Sequence, residues 1–164
     1  MIIGMSIPAF TLLHVIITLI AIGSGLIVVG GMFASRRLPG TTALFWLTTL
    51  LTSVTGFLFP IHGFTPALGV GGVACVILAI ALVAYYLKHL AGAWRWIYVV
   101  TAIPSLYLNV FVLVAQSFVK VAALNALAPT QSEPPFAIAQ GATLAIFILI
   151  GLIALVKFHP DARA

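Results

Sequence analysis

The chain has 164 residues, of which 63% are hydrophobic and only 5% are charged. Soluble domains carry about 25% charged residues, so this composition excludes a soluble globular surface and predicts an integral membrane protein. The net charge of +5 comes from basic residues scattered between apolar runs, which is not the pattern of a nucleic-acid-binding face. A spanning helix takes about 20 apolar residues, so the spans leave no room for a soluble domain.

Five apolar runs follow one another along the chain, each near the length that crosses a bilayer. They cover residues 7–34, 41–59, 66–87, 93–118 and 135–156. The connection after the fourth run either extends that helix over Val121 to Ala128 or turns there along the membrane surface. The sequence therefore predicts an all-α membrane protein, with one transmembrane domain over residues 1–164 built as a bundle of five transmembrane helices.

The basic residues lie almost entirely on one side of this predicted bundle. Six of the seven fall in the first loop, the third loop and the C-terminal tail: Arg36, Arg37, Lys88, Arg95, Lys157 and Arg163. The opposite side carries only Lys120, offset by Glu133. Because cytoplasmic loops are enriched in Lys and Arg, we expect the N-terminus outside and the C-terminus in the cytoplasm. That orientation requires an odd number of spans, which favours five over four or six.

The fourth span concentrates its polar residues on one helical stripe. At 3.6 residues per turn, these side chains fall on one face: Arg95, Tyr98, Thr101, Ser105, Asn109, Gln116 and Lys120. Pro104 lies within this span and is expected to kink the helix, because it lacks a backbone N–H. The stripe predicts a face that looks into the bundle rather than into lipid.

Three polar groups from three spans lie at a similar depth in the outer half of the predicted bundle, namely His14, Gln116 and Gln140. Together with Asn109 they form a candidate ligand-binding pocket, and Glu133 and Lys120 are expected at its mouth. Polar residues inside membranes are expensive, and for that reason they often mark functional sites. The competing interpretation is that these groups form hydrogen bonds between helices and bind nothing.

Three classes of function stay open. The first is a membrane protein that binds or passes a small molecule, such as a lipid or quinone, through the outer-half pocket. The second is an accessory or structural subunit that packs through small residues into a homo-oligomer or a larger membrane complex. The third is a b-type haem or quinone electron-transfer protein, with His14 and His62 as candidate haem or metal ligands. No catalytic motif is present, so an enzyme is disfavoured.

Residues 94–102, 106–114 and 126–136 resemble a group of small, uncharacterised bacterial inner-membrane proteins. The most distinctive stretches are LYLNVFVLV and ALAPTQSEPPF. The resemblance covers about a quarter of the chain and implies a location in the bacterial cytoplasmic membrane, but no activity. Size and helix count are also similar to the translocator protein family of tryptophan-rich sensors. That family's tryptophan-rich motifs are absent here, so its ligand is not transferred.

Overall fold

The fold is a bundle of antiparallel helices, seen in a computed structural model that describes residues 1–60 and 66–160. The helices are α1 (Ile7–Phe33), α2 (Pro39–Phe57), α3 (Pro66–Leu82), α4 (Trp94–Lys120), α5 (Ala122–Leu127) and α6 (Pro134–Lys157). A π-helical turn, Val83–Leu87, continues α3. No strand occurs within these ranges, apart from one isolated bridge between Ile2 and Met5.

The described residues form six helices, so the prediction of five helices is wrong in number. The additional helix is α5, which has only six residues and cannot cross a bilayer. It is separate because the backbone of Val121 is extended, with φ −92° and ψ 114°, which ends α4. The side-chain amide of Asn125 then donates to the carbonyl of Phe118 at 3.1 Å and satisfies an acceptor at the end of α4.

Proline begins most of the long helices, because its fixed φ suits the first turn and its missing N–H is not needed there. Pro39 and Pro134 are the first residues of α2 and α6. At the start of α1 the hydroxyl of Ser6 accepts from the amide of Ala9 at 3.4 Å. Pro104 lies inside α4, as the sequence indicated.

The helices alternate in direction. His14 contacts Thr55, and Gly25 lies against Phe45, so α1 and α2 run antiparallel along most of their length. At one end of the bundle, three hydrogen bonds join the loops to one another and to the ends of the helices. Arg37 donates to the carbonyl of His89, Arg95 donates to the carbonyl of Phe158, and the amide of His159 donates to Ser35. We call this the basic end, because the described residues Arg36, Arg37, Lys88, Arg95 and Lys157 lie there.

Helix α4 is the most buried of the long apolar helices and packs against both α3 and α6, while α1 packs chiefly on α2. The centre of the bundle toward the basic end is an aromatic cluster. Tyr98 is its middle ring, with centroids 6.1 Å from Trp46, 5.2 Å from Tyr85 and 5.8 Å from Phe158. This cluster joins α2, α3, α4 and the residue after α6, so it fixes the relative positions of the spans.

Four described helices are long and apolar enough to cross a membrane: α1, α4, α6 and the segment Leu68–Leu87 of α3 with its π turn. The second predicted span does form a helix, but α2 falls below this level of hydropathy because hydroxyl residues such as Thr48, Thr49 and Thr52 interrupt it. The fold is therefore that of an integral membrane protein built from helices.

Candidate functional site

His14 is half-buried on α1 and is joined to α2. Its Nδ1 lies 2.7 Å from the Thr55 hydroxyl oxygen, and that hydroxyl itself lies 2.6 Å from the carbonyl of Leu51. Since a hydroxyl has one proton, which it donates to Leu51, Nδ1–H of His14 is the donor to Thr55. The ring also meets Phe59 edge-on, with centroids 5.4 Å apart.

One turn further along, the same two helices are joined by a second polar contact. The hydroxyl of Thr18 donates to the carbonyl of His14 at 2.8 Å and lies 3.4 Å from the hydroxyl of Thr52. We call the four residues His14, Thr18, Thr52 and Thr55 the α1–α2 polar seam. Its side chains bond to one another or to their own backbone, so the seam acts as a link between two helices.

Asn109 is buried on α4, and its side-chain amide donates to the hydroxyl of Thr49 on α2 at 3.2 Å. It therefore links α4 across the interior to α2. The hydroxyl of Ser105, one turn earlier, is buried and has no hydrogen-bond partner among the described residues. The polar stripe predicted for α4 does face the interior from Tyr98 to Asn109.

The stripe reaches the surface in the last three turns of α4. Gln116 and Lys120 are both exposed. Glu133 precedes α6 and binds within its own turn, where its carboxylate accepts from the Thr130 hydroxyl at 2.8 Å and the Ser132 amide at 3.1 Å. Desolvation raises the pKa of Glu133, but these hydrogen bonds outweigh it and hold the pKa below its ordinary value.

Gln140 lies on α6 and faces α4. Its side-chain amide donates to the carbonyl of Phe111 at 3.1 Å, while its Oε1 is buried without a partner among the described residues. No hydrogen bond joins any two of the six residues predicted to form the pocket, namely His14, Asn109, Gln116, Lys120, Glu133 and Gln140. His62, the second candidate haem or metal ligand, lies outside the described residues, and no cluster of three metal-ligating side chains occurs within them.

A cavity that the sequence reasoning missed lies between α4 and α6. It has a volume of about 240 Å³, is lined almost entirely by carbon, and is open along one side. We call it the α4–α6 groove. Its lining residues are Val99, Val100, Ile103, Pro104, Tyr107, Leu144, Phe147, Ile148, Gly151, Leu152 and Leu155. Pro104 and Gly151 lie on facing helices at this cavity, and neither has a long side chain to fill the space.

Comparison of the chain with known protein families, curated proteins and solved structures gives no match. The likeness of residues 94–136 to small bacterial inner-membrane proteins therefore stays a prediction. The fold defines the class of this protein, a helical integral membrane protein. The features that bear on its function are the α4–α6 groove and the polar contacts between helices.

Proposed function

We propose that this protein binds a membrane amphiphile, with one hydrocarbon chain in the α4–α6 groove and an anionic head group at the basic end. The observation that carries the proposal is the groove itself, a long carbon-lined space on the membrane-facing side of the bundle. Only 11% of the apolar stretch of α6 is buried inside the bundle, so most of this helix faces outward. A lipid-like molecule can therefore reach the groove from the bilayer.

The dimensions of the groove fit a single chain. Its lining extends from Val99 to Tyr107 on α4 and from Leu144 to Leu155 on α6, which is about 12–17 Å at 1.5 Å per residue. A volume of about 240 Å³ is below the range of roughly 300–1,000 Å³ that encloses a whole drug-sized ligand. The groove therefore suits one extended chain better than a compact molecule.

The head-group position follows from the residues one turn beyond the groove. Arg95 and Trp96 precede Val99 on α4, and Lys157 ends α6. One nitrogen of the Arg95 guanidinium holds the carbonyl of Phe158 at 2.6 Å, which fixes its position at the rim and leaves its other N–H groups for an anion. Trp96 is half-exposed, as is common for tryptophan at the head-group level.

The same proposal includes a topology. Helix α2 lies alongside α1, so we propose that α2 also spans the membrane despite its hydroxyl residues. This brings the number of spans to five. The chain then has its N-terminus outside and its C-terminus in the cytoplasm, with the basic end at the cytoplasmic face of a bacterial inner membrane. Cysteine labelling of Ser6→Cys and His159→Cys variants in intact cells, in a Cys75→Ala background, tests the topology. Labelling of both positions from the same side would contradict it.

The groove is tested with a photoreactive, diazirine-bearing palmitate and the detergent-purified protein. We expect saturable labelling of α4 and α6, and a loss of about tenfold or more in Gly151→Leu, because the new side chain occupies the groove. The matched control is Gly141→Leu, since a Cβ at Gly141 meets nothing within 4 Å. Repeating the labelling with photoreactive phosphatidylglycerol distinguishes a fatty acid from a phospholipid. Equal labelling of the two leucine variants would contradict the proposal.

A second candidate is the outer-half polar pocket lined by His14, Asn109, Gln116 and Gln140. The buried, unpartnered Oε1 of Gln140 favours it, because such an acceptor in a membrane calls for a donor. On this proposal His14→Ala and Gln116→Leu each impair function while membrane insertion is kept. An absorption spectrum and native mass of the purified protein test the haem and complex-subunit alternatives, which predict a Soret band and a stable larger assembly.

A further inference from the structure

A second, much smaller cavity lies in the basic end. It is enclosed by the loop between α1 and α2, by the ends of α1 and α3, by the starts of α2 and α4, and by the residue after α6. Its lining residues are Val28, Met32, Arg36, Arg37, Leu38, Thr42, Tyr85, Tyr98 and Phe158. Its volume of about 10 Å³ is close to the roughly 10–15 Å³ that admits one particle the size of water. None of these residues lines the α4–α6 groove.

The polar groups around this cavity are rich in hydrogen-bond donors. The Arg37 Nη2 group donates to the carbonyl of His89 at 2.7 Å, whereas its Nε is buried and has no partner among the described residues. Arginine has five N–H donors and no acceptor. Thr42 and Tyr98 are each only 1% exposed, and their hydroxyl groups are hydrogen-bonded to each other, which leaves one of the two hydroxyl protons free to point into the cavity.

The charge of the basic end is not balanced by any described residue. The only acid within residues 1–60 and 66–160 is Glu133, which lies at the opposite end and binds Thr130 and Ser132. Among the described residues, therefore, no carboxylate lies beside the two arginines that line the cavity, of which Arg37 is half-buried and Arg36 is exposed. A desolvated guanidinium without a counter-charge is costly, particularly within a membrane protein.

From this geometry we infer that the cavity binds one chloride ion, held by Nε–H of Arg37 and by one hydroxyl proton of the hydrogen-bonded pair Thr42 and Tyr98. The volume excludes polyatomic anions such as phosphate and sulfate, whereas a monatomic halide is only slightly larger than water and requires a small outward shift of the lining side chains. A water molecule fits the space but supplies no negative charge. This inference is independent of the groove, so either can fail without the other.

The test is the thermal unfolding of the detergent-purified protein as chloride replaces gluconate at constant ionic strength. A ligand that binds only the folded state raises the midpoint along a saturation curve. We expect such a curve for the parent, and a rise of about tenfold or more in the half-saturating chloride concentration for Arg37→Gln. Lys88→Gln is the matched control, because it removes a positive charge from the same end without touching the cavity, and its curve should equal that of the parent.

A second measurement does not depend on how well Arg37→Gln folds. Bromide replaces chloride in crystals of the parent and of Thr42→Val, and its anomalous scattering locates the ion. A peak in the cavity of the parent that weakens in Thr42→Val supports the inference. It is overturned if the parent shows no saturable response and no peak, or if the response appears only in Asp161→Asn. In that last case the carboxylate of Asp161, which lies outside the described residues, is the native counter-charge.

Discussion

The two antiparallel helix pairs α1–α2 and α4–α6 are held together by different kinds of contact. The first pair is joined by the polar seam, in which His14 and Thr18 on one helix meet Thr55 and Thr52 on the other. Along their facing lengths, the helices of the second pair are joined by carbon contacts and by the amide of Gln140, and they leave a groove. In these two pairs, the helices joined by several polar side chains pack without a groove. The groove lies between the helices whose facing side chains are almost all apolar.

The largest expected effect comes from the tightest contact of α1. A Cβ at Gly25 would lie 2.6 Å from Cδ1 of Leu106 and 2.9 Å from Cε2 of Phe45, and both of these side chains are buried. Gly25→Val should therefore overpack the junction of three helices and lower the free energy of unfolding by about 1–3 kcal/mol. Gly30→Val is the control, since its Cβ would meet nothing within 4 Å. Unfolding in sodium dodecyl sulfate measures both, and equal midpoints would mean that the α1 interface is loose.

The polar seam should have a measurable coupling energy. A double-mutant cycle of His14→Ala and Thr55→Val is expected to give about 0.6 kcal/mol, and at most about 1.7, the range found for hydrogen bonds between membrane helices. His14→Ala with Thr143→Ala is the control cycle. Thr143 donates only to the carbonyl of Ala139 on its own helix, so its effect should add to that of His14 without coupling.

Replacing Gln140, which links the helices of the other pair, should change stability less. Gln140→Leu removes the hydrogen bond to Phe111, but it also removes a buried acceptor that has no partner. The two effects oppose one another, so we expect a net change within about 1 kcal/mol in the same unfolding assay. A loss well above that value would mean that Oε1 of Gln140 has a partner, which would favour the outer-half pocket over the groove.

The smallest effect is expected at Glu133, which is partly exposed and whose carboxylate accepts hydrogen bonds from Thr130 and Ser132 in its own turn. Its pKa is lower in the folded state, so the carboxylate stabilises the fold above its ordinary pKa and loses this contribution as the pH falls through the lowered value. Glu133→Gln should therefore have a slightly lower unfolding midpoint than the parent at neutral pH. In acid the two midpoints should be equal. A difference that persists in acid would show that charge is not its cause.

The spans and their ends follow from apolar length and from proline. The run over residues 7–34 became Ile7–Phe33, and the run over 135–156 became Pro134–Lys157. At Val121 the sequence leaves two alternatives open, a longer fourth helix or a turn along the membrane surface, because that residue is apolar and fits either one. Its extended backbone coincides with the Asn125 side chain binding the end of α4.

Helical phase and depth also indicated which side chains turn inward, as at Asn109, but they could not identify the neighbours. The sequence places His14 at the same depth as Gln116 and Gln140 but does not identify its hydrogen-bond partner, Thr55, which lies on the adjacent helix α2. The groove depends on Pro104 and Gly151 meeting across two helices that are distant in sequence. A space of that kind is defined by three-dimensional neighbours, so no single run of residues encodes it.

The unequal lengths of the spans have a consequence for the membrane around them. Helices α1 and α4 have 27 residues each and the segment Leu68–Leu87 has 20, which correspond to about 40 Å and about 30 Å. A hydrocarbon core of about 30 Å matches the shorter segment without adjustment, whereas the longer helices must tilt or extend beyond it. Their packing against one another limits the tilt, so bilayers of longer-chain lipids should relieve the mismatch, and lipid thickness becomes a physical variable that sets where this protein is most stable.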